Sequence, residues 1–270
     1  MHPIEWLRAV ARSSDVPQTR LAAEAAGALA AIADEPHGLL PACRRLIDRN
    51  PAAAALWWTC ARLLSSADPG REARAVQSDL ESDQVGLSLA LDLPDEAAVV
   101  VLGWSDVAGE MTARRGDVRL MVVAEETPPA RSTGRRGTWA YDDDAIDDDD
   151  EDGTVVIVPP LGVGAAVTSA DLLLVDAWAV GDNEVIAAPG TLAAVAVAAR
   201  MHTPVWFTVS VGRRLPEALF KALTDRVYRP GVEPWDAPVD LLDLKDTALT
   251  VVEPLVIPCP VPPELLRRTT

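Results

Sequence analysis

Three short stretches hold the residue types that acid/base or anion chemistry needs, and two of them follow an apolar, β-branched run. Gly103-Trp104-Ser105-Asp106 follows AAVVVL, and the span from Asp176 to Gly190, with Asp182, Asn183 and Glu184, follows DLLLV. The third, Pro189-Gly190-Thr191, opens the run LAAVAVAARM. Ser105 and Asp106 either move a proton or simply cap a helix that begins there. Asp176 and the carboxylates after it suit acid/base work or the holding of a ligand hydroxyl, although Gly181-Asp182-Asn183 is equally a plain turn signal. At Gly190-Thr191 a glycine admits close approach to the backbone, so free N–H groups at a helix start face an anion, or the pair is a structural cap alone. The spaced glycines and Lys-Ser/Thr pair of a phosphate loop are missing.

The other reactive side chains are scattered. His2, His37 and His202 are isolated, and no serine lies in a nucleophile-elbow pattern. Cys43, Cys60 and Cys259 share no short spacing. Neither a disulfide framework nor a zinc site is therefore expected, and the thiols read as structural ones in a reducing compartment. No metal or organic cofactor is expected. Trp57-Trp58 reads as a packing pair.

The elements that must position these residues come in two textures. From Pro3 to about Leu91 apolar residues recur at helical spacing: Leu21, Ala25, Leu29 and Ile32, then Leu39, Leu40, Leu46 and Ile47. Breaks fall at Ser13 to Pro17, Glu35 to Gly38, Asn50-Pro51 and Ala67 to Gly70, and both Asp15 to Pro17 and Asn50-Pro51 look like caps before a first-turn proline. After Pro94 short apolar runs at 97–102, 118–123, 154–158, 171–177 and 205–211 alternate with candidate crossover helices at Asp106 to Arg114, Gly162 to Ser169, Thr191 to Met201 and Leu215 to Leu223. Continuous apolar strands alternating with helices imply a parallel sheet covered on both faces. The expected fold is thus α/β: a helical domain over 1–93, then a Rossmann-like domain over 94–270. The 191–201 helix is apolar on nearly every side, so it must lie under other elements or against a second subunit.

The 270-residue chain is 49% hydrophobic, ample for a core without staples. Its net charge of -17 argues against a broad basic face for nucleic acid. Nine acidic residues fall between Asp142 and Asp152, in a segment (128–153) that also holds Arg131, Arg135 and Arg136 and has little to bury. That segment reads as a disordered or mobile insertion: a solvated loop, or else a nucleic-acid mimic, a cation binder or a docking site for a basic protein partner. No leader pattern opens the chain and no apolar run reaches the roughly 18 residues of a membrane span, so a cytoplasmic protein with no membrane association is expected. The Ala- and Arg-rich composition points to a GC-rich, bacterial source.

TVVIVPPLGVGAAVTSADLLLVDAWAV (154–180), with Asp182-Asn183-Glu184 and Gly190-Thr191 after it, resembles the core of the superfamily that unites the initiation factor 2B alpha, beta and delta subunits with the methylthioribose-1-phosphate and ribose-1,5-bisphosphate isomerases. AVVVLGWSDV, VRLMVVAEETPP, the stretch from Pro204 to Arg214 and NPAAAALWW extend the likeness over about residues 50 to 263, with Arg213 where the family often has a lysine. The resemblance implies a helical domain before a Rossmann-like one, a homodimer through the latter, and a sugar-phosphate or nucleotide ligand. The implied ligand residues are Gly190, Thr191, Asp182, Asn183 and Arg213. It also implies a catalytic cysteine and aspartate where this chain has Ser105 and Ala177 or Trp178, with Asp176 one or two positions early. No arginine-glycine phosphate motif is found in the helical half, and the acidic segment replaces a family helix. The expected function is therefore a non-catalytic regulatory or scaffold protein. The alternative is an altered sugar-phosphate enzyme using Ser105, Asp106 and Asp176.

Overall fold

The computed structural model describes residues 17–33, 38–124, 155–228, 231–245 and 249–266. The acidic run, Arg131, Arg135, Arg136, Asp15, His2 and His37 lie outside the described residues. Among the described residues five helices come first: α1 (Gln18–Ala30), α2 (Leu39–Arg49), α3 (Ala54–Ser65), α4 (Pro69–Glu81) and α5 (Val85–Asp92). Their starts correct one expectation. Asn50 ends α2, its N–H donating to the Leu46 and Ile47 carbonyls, whereas α3 begins only at Ala54. The cap-and-proline pair is instead Asp68-Pro69, where Asp68 Oδ1 accepts from Arg71 N at 2.9 Å and the proline occupies a position whose N–H is not needed.

The alternating half gives β1 (Ala98–Leu102), α6 (Asp106–Arg114), β2 (Arg119–Val123), β3 (Val155–Val158), α7 (Val163–Ser169), β4 (Leu172–Asp176), β5 (Ala179–Val180), β6 (Glu184–Ala187), α8 (Thr191–Met201), β7 (Val205–Thr208), α9 (Glu217–Val227), β8 (Asp240–Asp243), β9 (Leu249–Val252) and α10 (Pro263–Leu266). All five sequence-read strands are present and run parallel, and β9 makes a sixth, in the order β3-β2-β1-β4-β7-β9. The span read as one loop between β4 and α8 contains the β5–β6 hairpin, which with β8 forms a small antiparallel sheet. Gly181-Asp182-Asn183 is its turn, closed by Gly181 N donating to the Glu184 carbonyl at 2.9 Å.

Alternation along the buried strands sorts side chains to two faces. Val99, Val101, Leu120, Val122, Leu172 and Leu174 pack under α5 and α6. Val100, Met121, Val123, Leu173, Val175 and Phe207 pack under α7 and α8. A third core joins α1 through α4 to α9, taking in Val211, Leu215, Leu219 and Phe220 from beyond β7. Trp57 and Trp58 are fully buried in it, with Arg226 4.5 Å above the Trp57 ring and Arg62 4.6 Å above that of Trp58. Arg62 is itself held by Glu72 and Asp79, each at 2.5 Å.

Because the Trp58 ring fills the space between the helical layer and the β7–α9 connection, Trp58→Ala is expected to lower stability by about 3–5 kcal/mol, read from urea unfolding.

Candidate functional site

The strand order fixes where a site can form. The chain runs outward from β1 to β3 and then returns to place β4 on the other side of β1, so β1 and β4 flank the point at which the order reverses. In open parallel sheets the crevice beyond the carboxyl ends at that point is where ligands bind. The residue after β1 that begins a helix is Ser105, the last residue of β4 is Asp176, and the connection after the neighbouring β7 delivers Arg213.

These three side chains meet. The alternation that turns Leu172 and Leu174 toward α6 does the same for Asp176, whose Oδ2 accepts from Ser105 Oγ at 3.1 Å. Asp176 Oδ1 accepts from Arg213 Nη1, which also donates to the Ala177 carbonyl at 2.8 Å. Arg213 is 4% exposed, and the Asp176 side chain 15%. Ser105 serves as cap and as partner together, since its Oγ also accepts from Ala108 N at 3.3 Å at the start of α6. Arg213 Nε is buried and has no hydrogen-bond partner among the described residues. The cluster is thus an ion pair braced by a hydroxyl, with each carboxylate oxygen turned into protein.

The remaining sequence-read residues lie elsewhere. Asp106 is the exposed first residue of α6. Asp182 and Asn183 are exposed on the β5–β6 turn, where the Asn183 carbonyl accepts from Leu244 N at 2.8 Å. Gly190, at φ 89°, caps α8 and lies against Leu102 at the end of β1. Thr191 is buried, and its hydroxyl turns back to donate to the Ala188 carbonyl at 2.6 Å. The α8 N-terminus already carries an anion, because Leu192 N donates to Asp240 Oδ2 at 2.8 Å. His202, also left-handed, merely ends α8. Ala177 is fully buried among the residues under α8, and Trp178 packs against the helical core.

Sequence reasoning missed Asp240, which comes to α8 across 48 positions of chain without any local signal. It also missed Asp83 and Glu253. Asp83 accepts from Val211 N at 3.0 Å, and Glu253 chelates Arg214 Nε at 3.0 and 2.7 Å. Asp83 alone left a trace, as an acidic residue just before a helix, where it accepts from Val85 N at 3.1 Å.

The three thiols all lie in or against the helical core. Cys60 and Cys43 are buried in the helical core, and a hydrogen bond to Cys43 together with burial pushes the Cys60 thiol well up. Cys259 is pushed up to about 12 by burial, with Arg62 only partly opposing. Among the described residues no cluster of His, Cys, Asp and Glu is gathered to hold a metal, and no helix is long and apolar enough to cross a membrane.

No family model matches the chain, and no curated protein matches it. Solved structures do. The translation initiation factor eIF-2B of Pyrococcus horikoshii OT3 superposes with a TM-score of 0.67 at 15% identity, covering 93% of this chain and 97% of that one. The 5-methylthioribose 1-phosphate isomerase of the same organism gives 0.61 at 16%, covering 93% and 82%. A chain of the tetrameric eIF2B-beta2-delta2 complex of C. thermophilum gives 0.61 at 12%, covering 89% and 85%. The chain has the fold that these proteins share, an N-terminal helical region followed by a parallel α/β sheet.

Asp176→Ala leaves a buried guanidinium without its partner and is expected to cost about 3–5 kcal/mol in chemical denaturation. Adding Arg213→Met to that variant removes the orphaned charge and is expected to recover more than half of the loss.

Proposed function

We propose that this chain is a non-catalytic member of the initiation factor 2B and isomerase superfamily, acting as a regulatory or scaffold protein. One observation carries the reading: at the point where strand order reverses, Arg213 holds the Asp176 carboxylate. A proton shuttle between adjacent carbons of a sugar phosphate needs an acid/base pair open to substrate. Here the hydroxyl that bonds the carboxylate is Ser105, a far weaker acid than a thiol, and it is engaged with both Asp176 and the α6 N-terminus. The aspartate that the family resemblance puts at Ala177 or Trp178 is replaced by apolar side chains packed into two cores. Within this reading residues 1–93 form the helical domain and 94–270 the α/β domain, though α5 and the β7–α9 connection cross-brace the two.

The fold is shared with an isomerase as well as with initiation-factor chains, so the enzymatic reading has a direct test. Purified protein incubated with aldose 1-phosphates, ribose 1-phosphate and 5-methylthioribose 1-phosphate included, is expected to yield no ketose above the buffer control. Turnover that is lost in Asp176→Asn sinks the non-catalytic reading.

A phosphorylated ligand at Gly190-Thr191 has to compete with the internal anion, Asp240, for the α8 N-terminus. Asp240→Asn is therefore expected to raise inorganic phosphate affinity at least several-fold in isothermal titration, and equal binding by the two proteins removes the α8 N-terminus as the ligand site.

The outer side of α8 presents Leu192, 57% exposed, with Ala193, Ala196 and Ala199, and Leu161, before α7, is wholly exposed as well. Arg200 is the only charged residue in either helix. Uncharged faces of this kind suit a second copy, and one of the structural neighbours is a chain of a tetrameric complex. Leu192→Glu is expected to shift the molar mass in light scattering from dimer to monomer, with circular dichroism unchanged.

A further inference from the structure

We infer that the helical layer sets the Arg213–Asp176 ion pair through a clamp on the turn of residues 210–213. This goes beyond the non-catalytic reading and does not depend on it, since it concerns what holds Arg213 in place. The turn is closed by Arg213 N donating to the Ser210 carbonyl at 3.1 Å, and Gly212 takes φ 80° at its corner. Ser210 and Val211 are both buried.

The tip of the turn rests on the helical layer at two places. A side chain added to Gly212 would meet the Trp58 ring at 3.0 Å, with the Ala55 Cα at 3.5 Å behind it, so α3 lies directly on the corner. Val211 N donates to Asp83 Oδ2 at 3.0 Å, and the other oxygen of the same carboxylate accepts from Val85 N at the start of α5. The far flank of the turn is fixed to the sheet: Val180 N donates to the Arg213 carbonyl at 2.9 Å, and Leu215 N to the Val180 carbonyl at 2.8 Å. Arg213 therefore leaves a backbone gripped on one side by β5 and on the other by α3 and the α4–α5 connection.

The connection closes into a ring. Asp83 anchors the start of α5, and α5 packs on α6 so closely that a side chain on Gly86 would collide with Glu110 at 2.6 Å. The N-cap of α6 is Ser105, the second partner of Asp176. Both groups that hold the Asp176 carboxylate are thus positioned by elements that Asp83 touches. Moving the helical layer withdraws Asp83 and Trp58 from the turn and lets the guanidinium leave Asp176. Asp83 is a positioning residue, and the clamp couples the helical half to the carboxylate at the sheet's reversal point.

A double-mutant cycle in the full chain tests this. Asp83→Ala and Asp176→Asn, made singly and together, are expected to depart from multiplicative effects on the urea unfolding constant by about fivefold or more, because each single change already slackens the other's contacts. The control is Asp171→Asn, which removes an anchoring carboxylate of the same type at the opposite end of β4, where Asp171 Oδ2 accepts from Ala98 N at 2.9 Å. Combined with Asp176→Asn it is expected to be multiplicative within about twofold. Should Asp83→Ala fail to fold, Gly212→Ala runs the same cycle from the Trp58 side. Multiplicative behaviour of the Asp83 or Gly212 variant with Asp176→Asn overturns the clamp, and so does coupling of equal size from Asp171.

Discussion

A carboxylate at the end of a buried parallel strand needs a cation, and the Arg213–Asp176 pair is the constraint around which this end of the molecule is organised. Two charges this far out of water are tolerable only where each is paired and hydrogen-bonded; an unpaired one costs several kcal/mol. The guanidinium must therefore arrive in one orientation. It arrives from a turn that a helical layer presses on one side and a two-residue strand pairs on the other. The hydroxyl on the second carboxylate oxygen comes from the residue that also starts α6, so the same atom that satisfies Asp176 satisfies a helix terminus.

That arrangement makes the helical half more than a neighbour of the sheet. The hydrophobic core that begins with Leu21 and Ala25 in α1 does not stop at the last helix of the first half. It continues through Trp57 and Trp58 into Val211, Leu215, Leu219 and Phe220. The α5 helix belongs by sequence to the first half, yet Val85 and Leu89 pack on the sheet strands. The stability of the sheet's carboxyl end is accordingly shared between segments far apart in the chain.

Much of the frame was legible from local pattern. β-branched runs such as VRLMVV are long enough and apolar enough to announce a buried strand, and the Ala- and Leu-rich periodicity of 18–65 announces helices. What escaped was whatever depends on distant partners. β5 is two residues long and β8 reads DLLD, so neither has the run that marks a strand. β9 follows a turn and is defined only by its register on β7. At the site, Ser105 and Asp176 could be named because one follows a strand at a helix start and the other ends a strand. Their meeting could not be read, since the 71 positions between them close only when β1 and β4 become neighbours. Asp240 and Glu253 were invisible for the same reason. Asn50-Pro51 misled because Asn is as good a residue for ending a helix as for starting one, and here the preceding helix claimed it.

The site's polarity decides how an active centre of this architecture would have to change to work. Acid/base catalysis is served by a group whose pKa lies near the working pH and which can reach the proton it moves. In this chain both oxygens of the Asp176 carboxylate are engaged, one by Arg213 and the other by Ser105. Freeing that carboxylate would require removing Arg213, and the removal strands Asp176 in a largely buried setting. The polar groups at this end of the sheet are spent on internal contacts: Ser105 Oγ donates to Asp176 and caps α6, and the Asp240 carboxylate takes the Leu192 N–H at the start of α8.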